Sequence, residues 1–272
     1  MHAQPWWLDT VCGAGNWGLC LSWDGEGAID GALPYTRRPW LGLPMLRMPR
    51  FTPCLHLYCR DSKRLAEILP ALIKQLPRAV YVSQQYDWAL KEAAFFSDSG
   101  YRVQQRHTRV LPLEPDVDKL FQQLPARTRN YLNRPWGELQ LERGTQPELL
   151  FELAQMGKRA PGYEPELLRQ LYDALIQRNA GQLYLMYDSN WQLHAAGLVA
   201  RDSQCAYFLT GAFNPAFPRS QAMRRLLWQA IEDAAAHGCQ QFDFQGSMDA
   251  GVDRFFSSFG AQRVPYHRIL WP

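Results

Sequence analysis

A strand–helix–strand stretch near the end of the chain recurs about 160 residues earlier, and that repetition limits the fold more than any single motif does. Phe255-Phe-Ser-Ser-Phe-Gly260 matches Phe95-Phe-Ser-Asp-Ser-Gly100 at a constant offset of 160, and His107 and His267 keep that offset. Upstream, Leu19-Cys-Leu-Ser-Trp-Asp24 with Ile29 to Leu33 parallels Leu183-Tyr-Leu-Met-Tyr-Asp188 with Leu193 to Leu198, at an offset of 164. Each reads as an apolar strand, a turn carrying an aspartate and a second apolar strand. Two matches in the same order argue for an internal duplication, which sets architecture before any residue sets chemistry. With 272 residues the chain has room for two domains of roughly 100–150 residues each. A hydrophobic content of 47%, with ten Trp and thirteen Phe, is enough to fill two cores.

The periodicity of the apolar residues gives the element order. In the first half, Trp17 to Trp23 and Ala28 to Tyr35 form a hairpin across Asp24-Gly-Glu-Gly27, and Phe51 to Tyr58 is a further extended run. A helix over Lys63 to Leu76, a strand at Ala79 to Val82, a helix from Asp87 to Ser99 and a strand from Arg102 to Leu113 follow. The connection holds a short helix at Val117 to Leu124, and Arg127 to Arg134 can be helical up to the proline. Thr145-Gln-Pro-Glu148 reads as a capping box opening a helix to about Arg159, and Pro165 opens another that ends near Gly181. Three strands are predicted over 182–188, 192–201 and 204–213, then a helix from Ser220 to His237. A short strand, Gln241 to Gln245, breaks at Gly246-Ser247 into a helix. Val252, Phe255, Phe256 and Phe259 form one face of that helix, Gly260 stops it, and a last strand follows.

Several function classes are excluded at this level. A net charge of +3 is too small to point to nucleic acid by itself. No signal peptide and no apolar run of ~18–20 residues is seen, so a cytoplasmic protein without a membrane partner is expected. The six cysteines, at 12, 20, 54, 59, 205 and 239, contain no CxxC and read as reduced thiols. Cys54-x-His56-x-x-Cys59 resembles a metal site, but in a strand Cys59 would face away from the other two, so no metal is expected.

Antiparallel strands followed by helix, strand, helix and strand, with a helical pair in front, resemble the GNAT (Gcn5-related N-acyltransferase) fold. More specifically, the chain resembles tandem-GNAT proteins of the FemABX-like kind and related bacterial acetyltransferase-like proteins. The residues that carry this are Arg127-Thr-Arg-Asn-Tyr-Leu-Asn-Arg134, Gly238-x-x-x-Phe-Asp-Phe-x-Gly-Ser247, Gly251-Val-x-Arg-Phe-Phe-x-x-Phe-Gly-Ala261 and Tyr266. The fold class implied is α/β (α+β): two GNAT-like domains, 1–124 and 125–272, each a mixed, mostly antiparallel sheet flanked by helices.

The resemblance implies transfer of an acyl or aminoacyl group, from acyl-CoA or aminoacyl-tRNA, to an amine on a small molecule or peptide bound near the interdomain cleft. It implies no tightly bound cofactor, with acyl-CoA as a co-substrate. The donor loop would be Arg219, Ser220, Gln221 and Ala222 before a helix, where backbone N–H groups and the dipole suit a phosphate. This run has no glycine, and the alternative is a non-catalytic GNAT-fold binding module that has lost its donor site. Direct transfer needs chiefly positioning and at most one base. Asp243, Ser247 and Tyr266 are the candidates for that chemistry. Substrate contacts are expected from Tyr35, Arg37, Gln84, Gln85, Tyr86, Arg127, Arg129, Asn130 and Arg254. Each has a plainer reading as a capping, packing or solvated residue.

Overall fold

The computed structural model describes residues 1–87, 93–135, 139–246 and 249–271. The chain divides into two compact units, residues 1–107 with 264–272 and residues 108–263. This differs from the division at 124/125 expected from the sequence. The chain passes between units within a strand, and the last strand pairs with residues of the first half.

In the first unit, α1 (Pro5–Cys12) precedes the hairpin of β1 (Trp17–Trp23) and β2 (Ile29–Thr36). The expected strand-rich start contained no such helix. Proline at its first turn is preorganised for helix entry, and Trp7 and Leu8 are fully buried. β3 (Met45–Arg47) and β4 (Tyr58–Cys59) are short. The run Phe51 to Tyr58, expected as a strand, is irregular before its last residue: Phe51 has φ +61°, Leu55 makes an isolated bridge to Tyr86, and Tyr58 alone enters a strand, β4. α2 (Leu65–Lys74) lays Leu65, Ile68, Leu69, Leu72 and Ile73 against β1 and β2. β5 (Tyr81–Tyr86) pairs parallel with β3 and antiparallel with the last strand, β12 (Gln262–Trp271), so the order is β3-β5-β12. α3 (Ala94–Asp98) is the described part of the helix expected from Asp87; residues 88–92 lie outside the described residues.

β6 (Arg102–Pro112) carries the chain into the second unit. There follow α4 (Val117–Gln123), α5 (Ala126–Leu132), β7 (Gln140–Gly144), α6 (Pro147–Gln155) and α7 (Pro165–Gln177). β7 was not anticipated, because Gln140-Leu-Glu-Arg-Gly144 has one apolar residue and belongs to a sheet edge. The capping box at Thr145 does not form: Gln146 is the N-cap, without a side-chain bond, and Glu148 pairs with Arg169. β8 (Gly181–Tyr187), β9 (Leu193–Arg201) and β10 (Cys205–Phe213) form an antiparallel meander. α8 (Ala222–Ala236), β11 (Gln241–Asp243), α9 (Ala250–Ser257) and β12 (Gln262–Trp271) complete the chain. Strand order in this unit is β6-β11-β10-β9-β8-β7. Tyr184, Met186 and Val199 share a core with Leu226, Leu227 and Ile231 of α8. Leu183, Leu185 and Leu198, of opposite parity, are equally buried, so both sheet faces are covered.

The duplication is visible in detail. β1–β2 and β8–β9 each shift register one residue before their turn, between Ser22 and Trp23 and between Met186 and Tyr187. Asp24 Oδ1 then accepts from the N–H groups of Glu26 (2.9 Å) and Ala28 (2.8 Å), and Asp188 Oδ1 from those of Asn190 and Gln192 (both 2.9 Å). At the other repeat, Phe96 and Phe256 are both buried, and Gly100 and Gly260 both close a helix at positive φ, +89° and +84°. A side chain at either glycine would be strained whatever the space around it.

Candidate active site in the second unit

The site follows from a short strand pairing. β10 and β11 run parallel only over Cys205–Tyr207 against Gln241–Asp243. β10 continues to Phe213, whereas the chain after Asp243 turns away through Gln245 at φ +59°. The divergence opens a cleft of about 370 Å³. Phe208, Gly211 and Phe213 of β10 form one wall, and Val252, Phe255 and Phe256 of α9 face it. Ala222 and Met223 of α8, with Phe217 and Ser220 of the preceding loop, close its end. A second cleft of about 540 Å³ shares His194, Phe217, Pro218 and Ser220 with the first and adds Tyr131, Arg134, Arg219 and Arg225. An apolar slot therefore continues into a cationic one at the N-terminus of a 15-residue helix, whose dipole favours an anion.

A buried and a half-buried arginine hold this corner together. Arg225, 3% exposed, donates through Nη2 to the carbonyls of Arg134 (2.9 Å) and Pro135 (2.8 Å). Arg224 lies over the rings of Tyr131 and Phe255, each 5.1 Å from its guanidinium carbon. It donates through Nη1 to Ser258 Oγ at 2.8 Å and through Nε to Gln221 Oε1 at 3.2 Å. Tyr131 also receives Arg134 at 5.0 Å and Arg127 at 5.9 Å. The Arg127 guanidinium bonded to its phenol, with Arg134 and Arg224 nearby, holds that phenol below the ordinary tyrosine range.

His194, at the start of β9, is where the two clefts meet. Its ring stacks on Phe217 with centroids 3.8 Å apart and planes 11° apart. Nε2 lies 3.3 Å from Asp188 Oδ2 and Nδ1 lies 3.0 Å from Ser220 Oγ. A carboxylate only accepts, so Nε2 carries the proton and Nδ1 accepts from the Ser220 hydroxyl. Ser220 Oγ in turn accepts from the Ala222 N–H at 3.2 Å. The Asp188 carboxyl is held below the usual range by the Gln192 N–H first, with Asn190 and His194 adding to it.

The expected donor residues do converge here: Arg219, Ser220 and Gln221 line the cationic cleft, and Ser220 and Ala222 the apolar one. Asp243 is partly buried at the end of β11, its Oδ1 accepting from Thr108 Oγ1 and, at 2.7 Å, from the Gln245 N–H. It thus holds the backbone turn that opens the cleft. Ser247 lies outside the described residues. Tyr266 is on β12, in the first unit. Arg127 and Asn130 are exposed on α5, while Arg129 Nη1 is bonded to the carbonyl and Oε1 of Gln122, both at 2.9 Å. Arg254 is exposed on α9; the Val252 and then the Gly251 N–H groups, which Asp249 caps, hold the Asp249 carboxyl below its usual range, with Arg159 and Arg254 adding to it.

In the first unit, Tyr35 and Arg37 form a pair, guanidinium over ring at 5.1 Å with Nη2 donating to the phenol at 2.9 Å. Gln85 is half-buried within the β5–β12 ladder, opposite Arg268. Gln84 and Tyr86 require correction as substrate contacts, because both are fully buried and committed. Gln84 Oε1 accepts from the Thr36 N–H (3.1 Å) and Nε2 donates to the Thr36 carbonyl (3.2 Å), so its amide completes a backbone ladder between β2 and β5. Tyr86 donates to the Pro34 carbonyl at 3.1 Å. Gln84→Ala is expected to strand both Thr36 groups and lower stability by about 2–3 kcal/mol, measured by urea denaturation, and a ΔΔG under ~0.5 kcal/mol would contradict the assignment. Sequence reasoning missed His194 and Asp188 as site residues. The available signal was a histidine six residues after the turn aspartate in the second copy, where the first copy has Asp30.

Residues 125–257 match the acetyltransferase (GNAT) domain family. Among solved structures, the chain is similar to FemX, at 13% identity and a TM-score of 0.72, covering 98% of this chain and 91% of that one. It is also similar to a tandem GNAT protein from the clavulanic acid biosynthesis pathway, at 13% identity and a TM-score of 0.60, covering 94% and 83%. A third similar structure is the C-terminal domain of a putative lysylphosphatidylglycerol synthetase from Agrobacterium fabrum, at 12% and 0.59, covering 96% and 86%. The sequence matches no curated protein. The chain has the duplicated GNAT fold of the FemX and tandem-GNAT type, and the match to the acetyltransferase (GNAT) domain family falls in its second half. No helix among the described residues is long and apolar enough to cross a membrane.

Proposed function

We propose that the protein is an acyltransferase that moves an acyl or aminoacyl group from a phosphate-bearing donor, acyl-CoA or aminoacyl-tRNA, to an amine. The observation that carries this reading is the apolar cleft in the β10–β11 divergence opening into the cationic cleft at the N-terminus of α8. The slot suits an acyl chain with its linker, and Arg134, Arg219 and the helix terminus suit the phosphates. The amine acceptor would enter from the open side, with its nature set by contacts outside this corner.

One observation favours the second reading, a binding module without turnover. The Ala222 N–H, which a glycine-rich loop would leave for phosphate, is taken by Ser220 Oγ. The two readings separate by experiment. Thiol release from acyl-CoA, or loss of the aminoacyl group from charged tRNA, should depend on an added amine from a broad panel. Val252→Trp, on an exposed position of the slot wall, should weaken donor binding at least tenfold without a change in unfolding midpoint. Stabilisation by CoA or tRNA with no amine-dependent turnover would favour the binding module, and no interaction with either donor would remove the acyltransferase reading.

A further inference from the structure

Residues 37–44 of the first unit are exposed without a break, although the strands that carry them are anchored. Thr36 is held by Gln84 and donates through Oγ1 to the Arg47 carbonyl at 2.8 Å, and Leu46 is 2% exposed. From that base Arg37 bridges Leu46, and the Arg38 N–H donates to the Met45 carbonyl at 3.0 Å. Trp40 and Leu43 then exchange backbone hydrogen bonds of 3.2 and 2.9 Å. Leu41 and Gly42 make the two-residue turn between them, both at positive φ, +50° and +76°. Such a turn ordinarily takes Asn, Asp or Gly at both places. Leu41 therefore bears backbone strain and is 79% exposed as well, with Trp40 at 58% and Leu43 at 45% beside it.

The charge around this tip is one-sided. Residues 31–60 hold five arginines and no Asp or Glu. Arg60 pairs with Asp24, and Arg37 donates to Tyr35. Arg38, Arg47 and Arg50 are exposed, and none of them pairs with a carboxylate among the described residues. Partial burial first, then Arg38 and Arg47, lower the Arg50 guanidinium from its ordinary range, so these charges act on one another.

We infer that this hairpin docks the first unit on an anionic lipid bilayer, with Trp40, Leu41 and Leu43 in the interfacial layer and Arg38, Arg47 and Arg50 on lipid phosphates. The inference is independent of whether the second unit transfers acyl groups.

Scattered exposed apolar side chains need no explanation. Here, however, every residue from Trp40 to Leu43 except the glycine is large and apolar, and one of them is strained to be where it is. Tryptophan suits the headgroup level of a bilayer, and arginine forks onto phosphate oxygens. A nucleic acid would engage the arginines and leave Leu41 without a use. An apolar protein surface would leave the arginines unpaired. An anionic bilayer uses both. The lack of an apolar run of spanning length, which argued against a membrane partner from the sequence, does not bear on a hairpin tip that enters only the interface.

The test is co-sedimentation of the full-length protein with sucrose-loaded vesicles of phosphatidylcholine, with and without about 30% phosphatidylglycerol. Binding should require phosphatidylglycerol and weaken steeply as NaCl rises from about 0.05 to about 0.5 M. R38Q/R47Q/R50Q should weaken it roughly 100-fold, and W40S/L41N about tenfold or more. Asparagine tolerates positive φ, so L41N alone should bind vesicles less well while unfolding at the same urea midpoint or a higher one. A merely structural role for Leu41 would not give that combination. W23S removes a tryptophan of the same unit with nearly equal exposure, 57%, and should bind as the parent does. No binding to anionic vesicles at low salt, equal binding to phosphatidylcholine alone, full binding by W40S/L41N, or an equal loss in W23S would overturn the inference. Binding of the three arginines to tRNA but not to vesicles would assign them to nucleic acid. Self-association without vesicles that W40S/L41N abolishes would assign the tip to a second copy of the chain. Either of these outcomes also overturns it.

Discussion

Phe244→Ala should lower the stability of the second unit by about 3–5 kcal/mol, a large share of the 5–15 kcal/mol typical of a folded domain. Phe244 is 1% exposed at the point where the chain leaves β11, with its ring 4.9 Å from Phe242, 5.0 Å from Phe256 and 5.5 Å from Phe259. Three aromatic partners on a strand, a helix and the turn after it cannot collapse into the void together, so the cavity term remains in full. Phe256 is also a wall of the apolar cleft, and donor binding should weaken with the loss of stability. Phe244→Leu keeps most of the volume and should cost about 1–2 kcal/mol. Urea denaturation followed by tryptophan fluorescence measures both, with the slope unchanged if the transition stays two-state. A midpoint for Phe244→Ala within error of the parent would show that these rings do not hold α9 to the sheet.

Asp253→Asn should cost about 2–3 kcal/mol, between an exposed and a fully buried pair. Asp253 is 20% exposed and takes a fork from Arg109, Nε to Oδ1 at 2.7 Å and Nη2 to Oδ2 at 2.8 Å, plus Arg263 Nη2 at 2.8 Å. Arg109 also reaches the Ala261 carbonyl, so the pair fastens α9 and the following turn to β6. The hydrogen bond from Arg109, then that from Arg263, holds the Asp253 carboxyl well below its ordinary range. The sign follows from that direction. Stabilisation is complete above the unfolded value of about 4, is lost as pH falls below it, and is gone beneath the depressed folded value. The parent protein should therefore lose more stability than Asp253→Asn when both are taken from pH 6 to pH 3. Equal losses would mean that the ion pair contributes nothing.

The parts of this fold that were legible in the sequence are those where packing follows a local period. The stripes of α2 and α8, the β8–β10 meander and the Phe-Phe-Ser-x-x-Gly ends all stand in the structure, with Phe96, Phe256 and Phe259 buried while Val252 of the expected α9 face is exposed. Elements defined by a distant partner were not legible. β7 is a polar edge strand recognisable only beside β8, and α1 is a short helix whose Trp7 and Leu8 are buried by the rest of the first unit. Gln84 looked available because it is a polar residue beside a strand end. Only the structure shows that Thr36 uses every atom of its amide. Arg219 to Ala222 was legible as a segment that leads into a helix. Its histidine was not, because His194 and Ser220 are separated by the whole of β9 and β10, and the contact depends on Phe217 folding back onto the ring.

The last strand has a consequence for the order of events during synthesis. Residues 264–271 lie in the first unit, beside β5. Until they have been made, Val82 to Tyr86 present an open row of backbone donors and acceptors, an edge that invites pairing with other chains. At 5–20 residues per second the ribosome needs roughly nine to thirty-six seconds to produce the intervening stretch. The second unit is continuous from Thr108 to Arg263. The half translated earlier must therefore be held open for its final strand.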